Sequence, residues 1–428
     1  MTRGPPMSAT TAADVPEKKK PKKQSRLFAQ AQRLGRSLLL PIAVMPAAGI
    51  LLRIGQPDLL GAIPGFGKWA GVISAAGNGV FNWLPLLFAV GIAIGWAKKS
   101  DGTTALAAVV GYMVMFEVWK VMSPIVLDGV KDANGDQAMI NFGVLGGIVM
   151  GLVSAVMWEK FHRTKMPDFL GFFSGRRLVP ILTAVAGLVI AVAMSFVYRY
   201  FDIALTAAGT AVADNAVIGG GIFGFVNRML IPIGLHQLLN FFPWFQLGSF
   251  TGADGVIYHG DIARFLNGDP TAGIFQTGFF PIMMFALPAG ALAIWRNAKP
   301  QNRKLVGGIM ISAALTSFVT GITEPLEYSF MFVAFPLYVI HAVLTGTSLA
   351  LVNALGIHDG FSFSAGAIDY VLNFGKADGA IWLIPIGLGY AVVYYFLFSF
   401  VIKKWNLRTP GREEDTIAEN TIDAATKP

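Results

Sequence analysis

The stretch GITEPLEYSF, residues 321–330, sets two glutamates three positions apart inside a long apolar region. Pro325 has no N–H to donate and steers the residue before it away from helical geometry. A helix arriving from residue 305 therefore stops near Gly321, and a second starts at Pro325, since proline is favoured at the first helical position. Glu327 then falls in the first turn of the new helix, where the helix dipole favours negative charge. Glu324 sits at the break with no such structural reason.

The surroundings of that break are those of a membrane protein. Hydrophobic residues make up 54% of the 428 and charged residues 14%, beyond the ~45–50% apolar content of soluble domains. About ten runs approach the ~20 apolar residues that cross ~30 Å of hydrocarbon: 38–54, 70–97, 103–122, 139–158, 178–200, 216–247, 271–295, 305–320, 329–352 and 380–402. They are continuous, unlike the alternating ~10-residue segments of a membrane barrel. The fold class read from them is an all-α polytopic membrane protein, with about ten transmembrane helices plus re-entrant segments. An intramembrane carboxylate costs ~2.5–3.5 kcal/mol on insertion scales, so a functional role is the default for Glu324.

The net charge of +8 gathers in EKKKPKKQSR (17–26), KK (98–99), KFHRTK (160–165), GRR (175–177), RNAKPQNRK (296–304) and KKWNLR (403–408). Short basic loops mark the cytoplasmic side, so the charge reports topology and not a nucleic-acid partner. It places the N- and C-termini in the cytoplasm and the first ~25 residues in an unstructured tail. With the loops so assigned, the first five spans alternate cleanly, with YRYFDIALTAAG (198–209) as an outside loop. Beyond residue 200 the count fails twice, before and after RNAKPQNRK, and in each region a segment must enter the membrane and return. Such backbone survives at membrane depth only under cover of protein or around a watery cavity, and broken helices there build transporter sites.

The polar residues of these two regions are the candidate ligands of a neutral polyol. NRMLIPIGLHQLLN (227–240) offers Arg228, His236, Gln237 and Asn240, with Pro232 and Gly234 interrupting the helix just before His236. GITEP offers Thr323 and Glu324, and GIHDGFSFSAG (356–366) offers His358, Asp359, Phe361 and Ser362. His259 and Asp261 in YHGDIARF either line the site or satisfy loop backbone. Acids, amides and hydroxyls hydrogen-bond sugar hydroxyls, and aromatic faces pack on the ring. Phe241, Phe242, Trp244 and Phe245 are expected to supply such faces and wall the recess that holds it. The absence of cysteine removes thiolate metal sites and cysteine nucleophiles. The histidines (162, 236, 259, 341, 358) show no HExxH spacing and no GxxxxGK[ST] loop is present. No metal and no cofactor are expected.

GITEPLEYSFMF, HGDIARF, GDPTAG, NRMLIPIGLHQLLN, FSFSAGAIDY, RLGRSLLLPIAVMPAAGILLRIGQPDLL (33–60) and KMPDFLGFFSGRRLVPI (165–181) together resemble the enzyme IIC subunit of the glucose superfamily of bacterial phosphoenolpyruvate-dependent sugar phosphotransferase systems. GLHQLLNFFPWFQ, GFFPIMMF and GIHDGFSFSAG look most like N-acetylglucosamine permeases; Asp359 departs toward the glucose type. The resemblance implies a homodimer in the bacterial inner (plasma) membrane. It divides the chain into a basic tail (1–26), an N-terminal scaffold and dimerisation domain (27–205), a C-terminal sugar-binding transport domain (206–404) that moves as an elevator, and a tail (405–428). Glu324, His236 and Arg228 are implied to contact the sugar. Its 6-hydroxyl would be phosphorylated by a cysteine-phosphorylated IIB domain, often fused after TPGRE. Here TPGREED (409–415) is followed by too few residues for a domain, so a separate IIB protein is expected and no catalytic residue on this chain. The rival readings are a glucose-specific permease of the same system, an ion-coupled secondary transporter using Glu324 as its ion site, and a non-transporting sugar receptor.

Overall fold

A computed structural model describes residues 26–131 and 135–412; the tails expected of residues 1–25 and beyond Arg412 lie outside them. The first half of the chain is helical: α1 (Arg26–Ile42), α2 (Met45–Ile54), α3 (Gly67–Asn82), α4 (Leu84–Trp96), α5 (Gly102–Val126), α6 (Val144–Phe161) and α7 (Leu178–Ala213). The second half is more broken. It runs through α8 (Ala216–Leu230), α9 (His236–Phe245), a hairpin of β1 (Ser249–Thr251) and β2 (Ile257–His259), α10 (Asp261–Leu266), α11 (Leu287–Asn297), α12 (Arg303–Thr320), α13 (Glu324–Met331), α14 (Phe335–Ala354), α15 (Ala367–Asn373) and α16 (Leu383–Lys404).

Local chemistry sets many of these starts. Pro46, Pro85, Pro288, Pro325 and Pro336 occupy the first two positions of α2, α4, α11, α13 and α14, where a missing N–H leaves no helical acceptor unpaired. Asp101 opens α5 with a capping box: its carboxylate accepts from Thr103 N at 2.9 Å while Thr104 Oγ1 accepts from Asp101 N at 3.2 Å. Pro281–Ala286 forms a π-helical turn ahead of α11. In such a turn the Met283 carbonyl would look to residue 288, a proline with no donor. The Ser317 hydroxyl of α12 donates to it instead, at 2.6 Å.

Among the described residues seven helical stretches are long and apolar enough to cross a bilayer, and α3 with α4, bent by 51°, makes an eighth if the pair is one span. The chain is an all-α polytopic membrane fold, but the ten runs do not map one to one onto spans. The run 216–247 breaks into α8, a 3-10 turn and α9; the run 271–295 becomes helical only at Pro281. The expected outside loop 198–209 is instead part of α7, which has 36 residues and runs through position 205. That segment holds no proline and one glycine, so nothing in it stops a helix once started. The hairpin is a further feature that apolar run-counting does not reveal; Ser249 pairs with His259.

Helices pack closely where glycine removes the side chain, as small residues allow in bilayers. Gly221 and Gly224 of α8 face Gly346 of α14: a Cβ on Gly346 would lie 2.7 Å from the Gly221 carbonyl oxygen and 3.1 Å from Phe225 Cβ. Gly111 of α5 meets Gly187 of α7, and Gly151 of α6 meets the Ala89 carbonyl of α4. Two of the core clusters show how the halves pack: Ala89, Met115, Trp119, Phe142, Met150 and Ala191 join α4 to α7, while Leu287, Phe330, Tyr338, Tyr394 and Phe398 join α11 to α16. Gly346→Val is therefore expected to cost about 1–3 kcal/mol by overpacking and to lower the melting temperature in detergent. Gly308→Ala in α12, where the new Cβ meets nothing within 4 Å, should leave it unchanged or higher.

Candidate functional site

The break in GITEP falls where the sequence predicts, but the second helix begins one residue before Pro325, so Glu324 as well as Glu327 lies in its first turn. Gly321 ends α12 in the left-handed region (φ 73°), and α13 starts at Glu324 with Pro325 behind it. Glycine is needed at that φ, and space demands it as well, since a Cβ there would meet the Ser364 hydroxyl 2.6 Å away. A second break of the same kind precedes α9: the 3-10 turn Ile231–Ile233 ends in Gly234 at φ 71°, and His236 opens the helix.

The two glutamates have different environments. Glu327 is fully buried. Its Oε1 accepts from Arg228 Nη1 at 2.7 Å and lies 3.0 Å from His341 Nε2, while Oε2 has no partner. Arg228 also donates to Thr323 Oγ1 at 3.2 Å and to Asn227 Oδ1 at 3.0 Å, and stands 4.9 Å over the Phe279 ring. Its backbone carbonyl accepts from the Tyr338 hydroxyl, and Tyr394 Oη lies 2.9 Å from His341 Nδ1. Arg228 and Thr323 are thus held within this network. Glu324, by contrast, has a side chain 34% exposed, and its Oε1 lies 3.9 Å from His236 Nε2. That gap is too long for a hydrogen bond. His236 is 6% exposed, yet neither ring nitrogen has a partner.

On α9, Asn240 accepts from Asn227 Nδ2, and its own Nδ2 donates to Gln237 Oε1 at 3.4 Å. The four aromatics that follow do not form one recess. Phe241 is buried against α1 and α4 with Leu38 and Phe88; Phe242 is 41% exposed; Trp244 stands edge-on to Phe361 at 5.3 Å and donates to the Phe275 carbonyl. Phe245, one turn after Phe241, joins the same cluster, while Phe242, about 100° further round the helix, faces away from it.

The GIHDGFSFSAG loop lies against the GITEP break, where the Ser364 hydroxyl donates to the Gly321 carbonyl at 2.9 Å. Most of its polar groups hold the loop itself. Ser362 donates from both N and Oγ to Asp369 Oδ1, and His358 Nδ1 lies 3.1 Å from the Ala272 carbonyl. Asp359 Oδ1 accepts from Gly360 N, with Oδ2 unpartnered, and Phe361 packs between Trp244 and Phe280. Asp261 likewise serves backbone, accepting from Gly273 N and Phe275 N. His358 lines a different cavity, with Asp261 and Arg264. Glu324, His236, Thr323, Arg228, Gln237 and Asn240 come together; His358, Asp359, Phe361 and Ser362 form the adjoining loop. The reading of the residues passed over Asn227, Tyr338, His341 and Tyr394. A histidine within an apolar helix, in PLYVIHAVLTG, was the available signal for His341.

Removing one partner of a buried ion pair costs about 3–5 kcal/mol. Glu327→Ala should therefore destabilise the protein strongly in thermal melts. Glu324→Ala, half in solvent, should change stability by less than ~1 kcal/mol. The double variant Arg228→Ala/Glu327→Ala should cost less than the sum of its parts.

Comparison with known proteins agrees with this architecture. The family model for phosphotransferase system EIIC matches residues 35–346. The chain is 52% identical over 423 residues to the PTS system N-acetylglucosamine-specific EIIC component of Streptomyces coelicolor, covering 98% of this chain and 100% of that protein. It is 47% identical to the N-acetylglucosamine-specific EIICBA component of Escherichia coli, covering 92% of this chain but 58% of the relative. The N-acetylglucosamine-specific EIICB component of Bacillus subtilis is also 47% identical, with 91% and 80% covered. Among solved structures, the transporter ChbC, the IIC component from the N,N'-diacetylchitobiose-specific phosphotransferase system, matches at TM-score 0.60 and 15% identity over 89% of this chain and 94% of its own. That last likeness is one of fold. With the family model spanning most of its length and close relatives spanning nearly all of it, this multi-pass membrane chain belongs to the EIIC permease family of the phosphotransferase system.

Proposed function

We propose that the chain binds N-acetylglucosamine between Glu324 and His236, carries it across the bacterial inner membrane, and presents its 6-hydroxyl to a phosphorylated IIB protein. One observation carries the placement: a buried histidine with two unpaired nitrogens faces a half-open carboxylate across 3.9 Å. A buried polar group without a partner costs about 1–3 kcal/mol. A sugar hydroxyl that accepts from His236 Nε2 and donates to Glu324 supplies one of the two partners His236 lacks. Gln237, beside His236 and half-buried, and Asn240 supply amide groups for the acetamido substituent; Trp244, next to Phe361, is the aromatic nearest in kind to a ring-stacking surface. Arg228 acts through Thr323 and Glu327, positioning the loop that carries Glu324.

The choice of sugar rests on the relatives named for N-acetylglucosamine, with glucosamine-specific and glucoside-specific components at 45% and 40% identity. The IIB partner follows from the names EIICB and EIICBA and from the absence of cysteine in these 428 residues. A homodimer, a scaffold formed by 27–205, an elevator-like transport domain formed by 206–404, and cytoplasmic termini complete the proposal. In the transfer, the sugar 6-oxygen forms the new bond to phosphorus as the cysteine S–P bond of IIB breaks.

Glu324→Gln and His236→Ala are each expected to lower IIB-dependent phosphorylation of N-acetylglucosamine in vesicles at least about tenfold, the loss of one charge-assisted hydrogen bond, with the protein still folded by gel filtration. Wild-type rates in both would remove them from the site. In competition assays unlabelled N-acetylglucosamine should displace the labelled sugar at far lower concentration than glucose does, and Gln237→Ala should narrow that difference. Equal competition by the two sugars contradicts the assignment.

A further inference from the structure

The loop between α6 and α7 presents the most exposed large apolar residue among those described, Phe169 at 84%, with Phe172 at 69% three positions on. On a spanning helix such exposure means lipid contact and needs no further account, but these rings stand on a loop beyond the helix ends. The loop is not loose. Gly175 N donates to the Thr164 carbonyl at 2.8 Å and closes it. Inside, Leu170 N donates to the Pro167 carbonyl at 2.8 Å, Ser174 N to the Gly171 carbonyl at 3.1 Å and Met166 N to Ser174 Oγ at 3.0 Å. Asp168–Phe173 runs as a 3-10 turn. A compact loop with joined ends holds its side chains in set directions, so the two rings are held outward by structure and not left out by fraying.

Positive charge surrounds them. Residues 160–177 carry five cations (Lys160, Arg163, Lys165, Arg176, Arg177) against one acid, Asp168. Arg176 pairs with Asp101 at 2.7 Å. Arg177 donates to the Phe172 carbonyl at 3.2 Å and lies 4.7 Å over the Phe172 ring. Arg163, Lys165 and Arg177 are exposed and form no ion pair with a described residue. Position decides what these groups can reach. α6 and α7 both belong to stretches long and apolar enough to cross a bilayer, and the closed loop hangs from the end of one and the start of the other. Span ends bearing cations sit at the lipid headgroups. There an apolar tip enters the acyl boundary while the cations behind it meet lipid phosphates. A protein partner would need ~20–30 residues a side for a stable interface, more than the segment between Thr164 and Gly175 supplies. We infer that residues 165–174 are an interfacial anchor: Phe169 and Phe172 enter the leaflet on the basic side of the membrane, and Arg163, Lys165 and Arg177 bind the phosphates of anionic phospholipid there. So placed, the loop sets the depth of α6 and α7 in the bilayer, wherever the sugar binds.

The test uses the full chain with Gly171→Cys, which puts a single thiol in a sequence that has no cysteine, at an exposed position where a Cβ meets nothing within 4 Å. A nitroxide on that thiol reports its depth through its relative accessibility to oxygen and to a water-soluble nickel chelate. In vesicles of phosphatidylcholine with phosphatidylglycerol the label is expected ~5–10 Å below the phosphates. Adding Phe169→Ser/Phe172→Ser should move it into water. Adding Lys165→Gln/Arg177→Gln instead should leave it no deeper than it lies in phosphatidylcholine alone. Both rings and both cations are exposed, so each combined variant should elute and melt in detergent as Gly171→Cys does, which separates lost anchoring from misfolding. The inference is overturned if the label is accessible to the nickel chelate in phosphatidylglycerol vesicles, if it keeps its depth without the two rings, or if its depth is the same in phosphatidylcholine alone. Shielding that appears only when a IIB protein is added would overturn it too, and would make the loop a protein-docking surface.

Discussion

A buried ion pair, Arg228 with Glu327, is the constraint on which the second half of this fold rests. Two charges leave water for a protein interior inside a bilayer at far lower cost when they meet each other and further hydrogen-bond partners. Here Arg228 meets Glu327, Thr323 and Asn227, and Glu327 Oε1 meets His341 as well, with Oε2 alone unpartnered. The partners come from α8, the GITEP break, α13 and α14, so one cluster fixes the relative position of four segments. With them in place, non-helical backbone at 321–323 is tolerated in an otherwise apolar setting, and Glu324 is left at the edge of the cluster with a carboxylate free for a ligand.

A second buried arginine ties the front of the chain to the back. Arg53 of α2, fully buried, donates to both oxygens of Asp58, at 2.8 and 2.6 Å, and to Asn373 Oδ1 of α15 at 2.9 Å. The Gln56 side chain reaches the Leu266 carbonyl, which also accepts from Lys376 Nζ. Asp369, at the start of α15, in turn holds the 358–364 loop through Ser362, and Ser364 of that loop anchors Gly321. A chain of hydrogen bonds therefore runs from the GQPD turn to the GITEP break.

Much of this was legible before any coordinates, and the physics explains which parts. Proline and glycine act locally, so Gly321, Pro325, Pro232 and Gly234 announce both helix breaks. Membrane insertion penalises charge, so Glu324 and Arg228 stand out against their surroundings. Side-chain direction in three dimensions was not legible. The sequence sets the two glutamates apart by placing only Glu327 in the new helix; the structure puts both in its first turn, and burial is what separates them: Glu327 is locked to Arg228 and His341, whereas the Glu324 side chain is about a third exposed. Phe241 to Phe245 read as one aromatic wall along the chain, but a helix fans them around its axis. The continuation of α7 through 198–209 was hidden by its polar residues, which occupy the exposed surface of a helix that nothing interrupts. The β-hairpin was hidden because its strands are three residues each, too short for an alternation pattern to register.

The most direct measurement is an experimental structure of the protein bound to N-acetylglucosamine. The account predicts a sugar hydroxyl within hydrogen-bonding distance of both Glu324 and a His236 ring nitrogen, with the Arg228–Glu327 pair unbroken beneath it. A sugar seated away from both residues, or one whose hydroxyls displace Arg228 from Glu327, would contradict it.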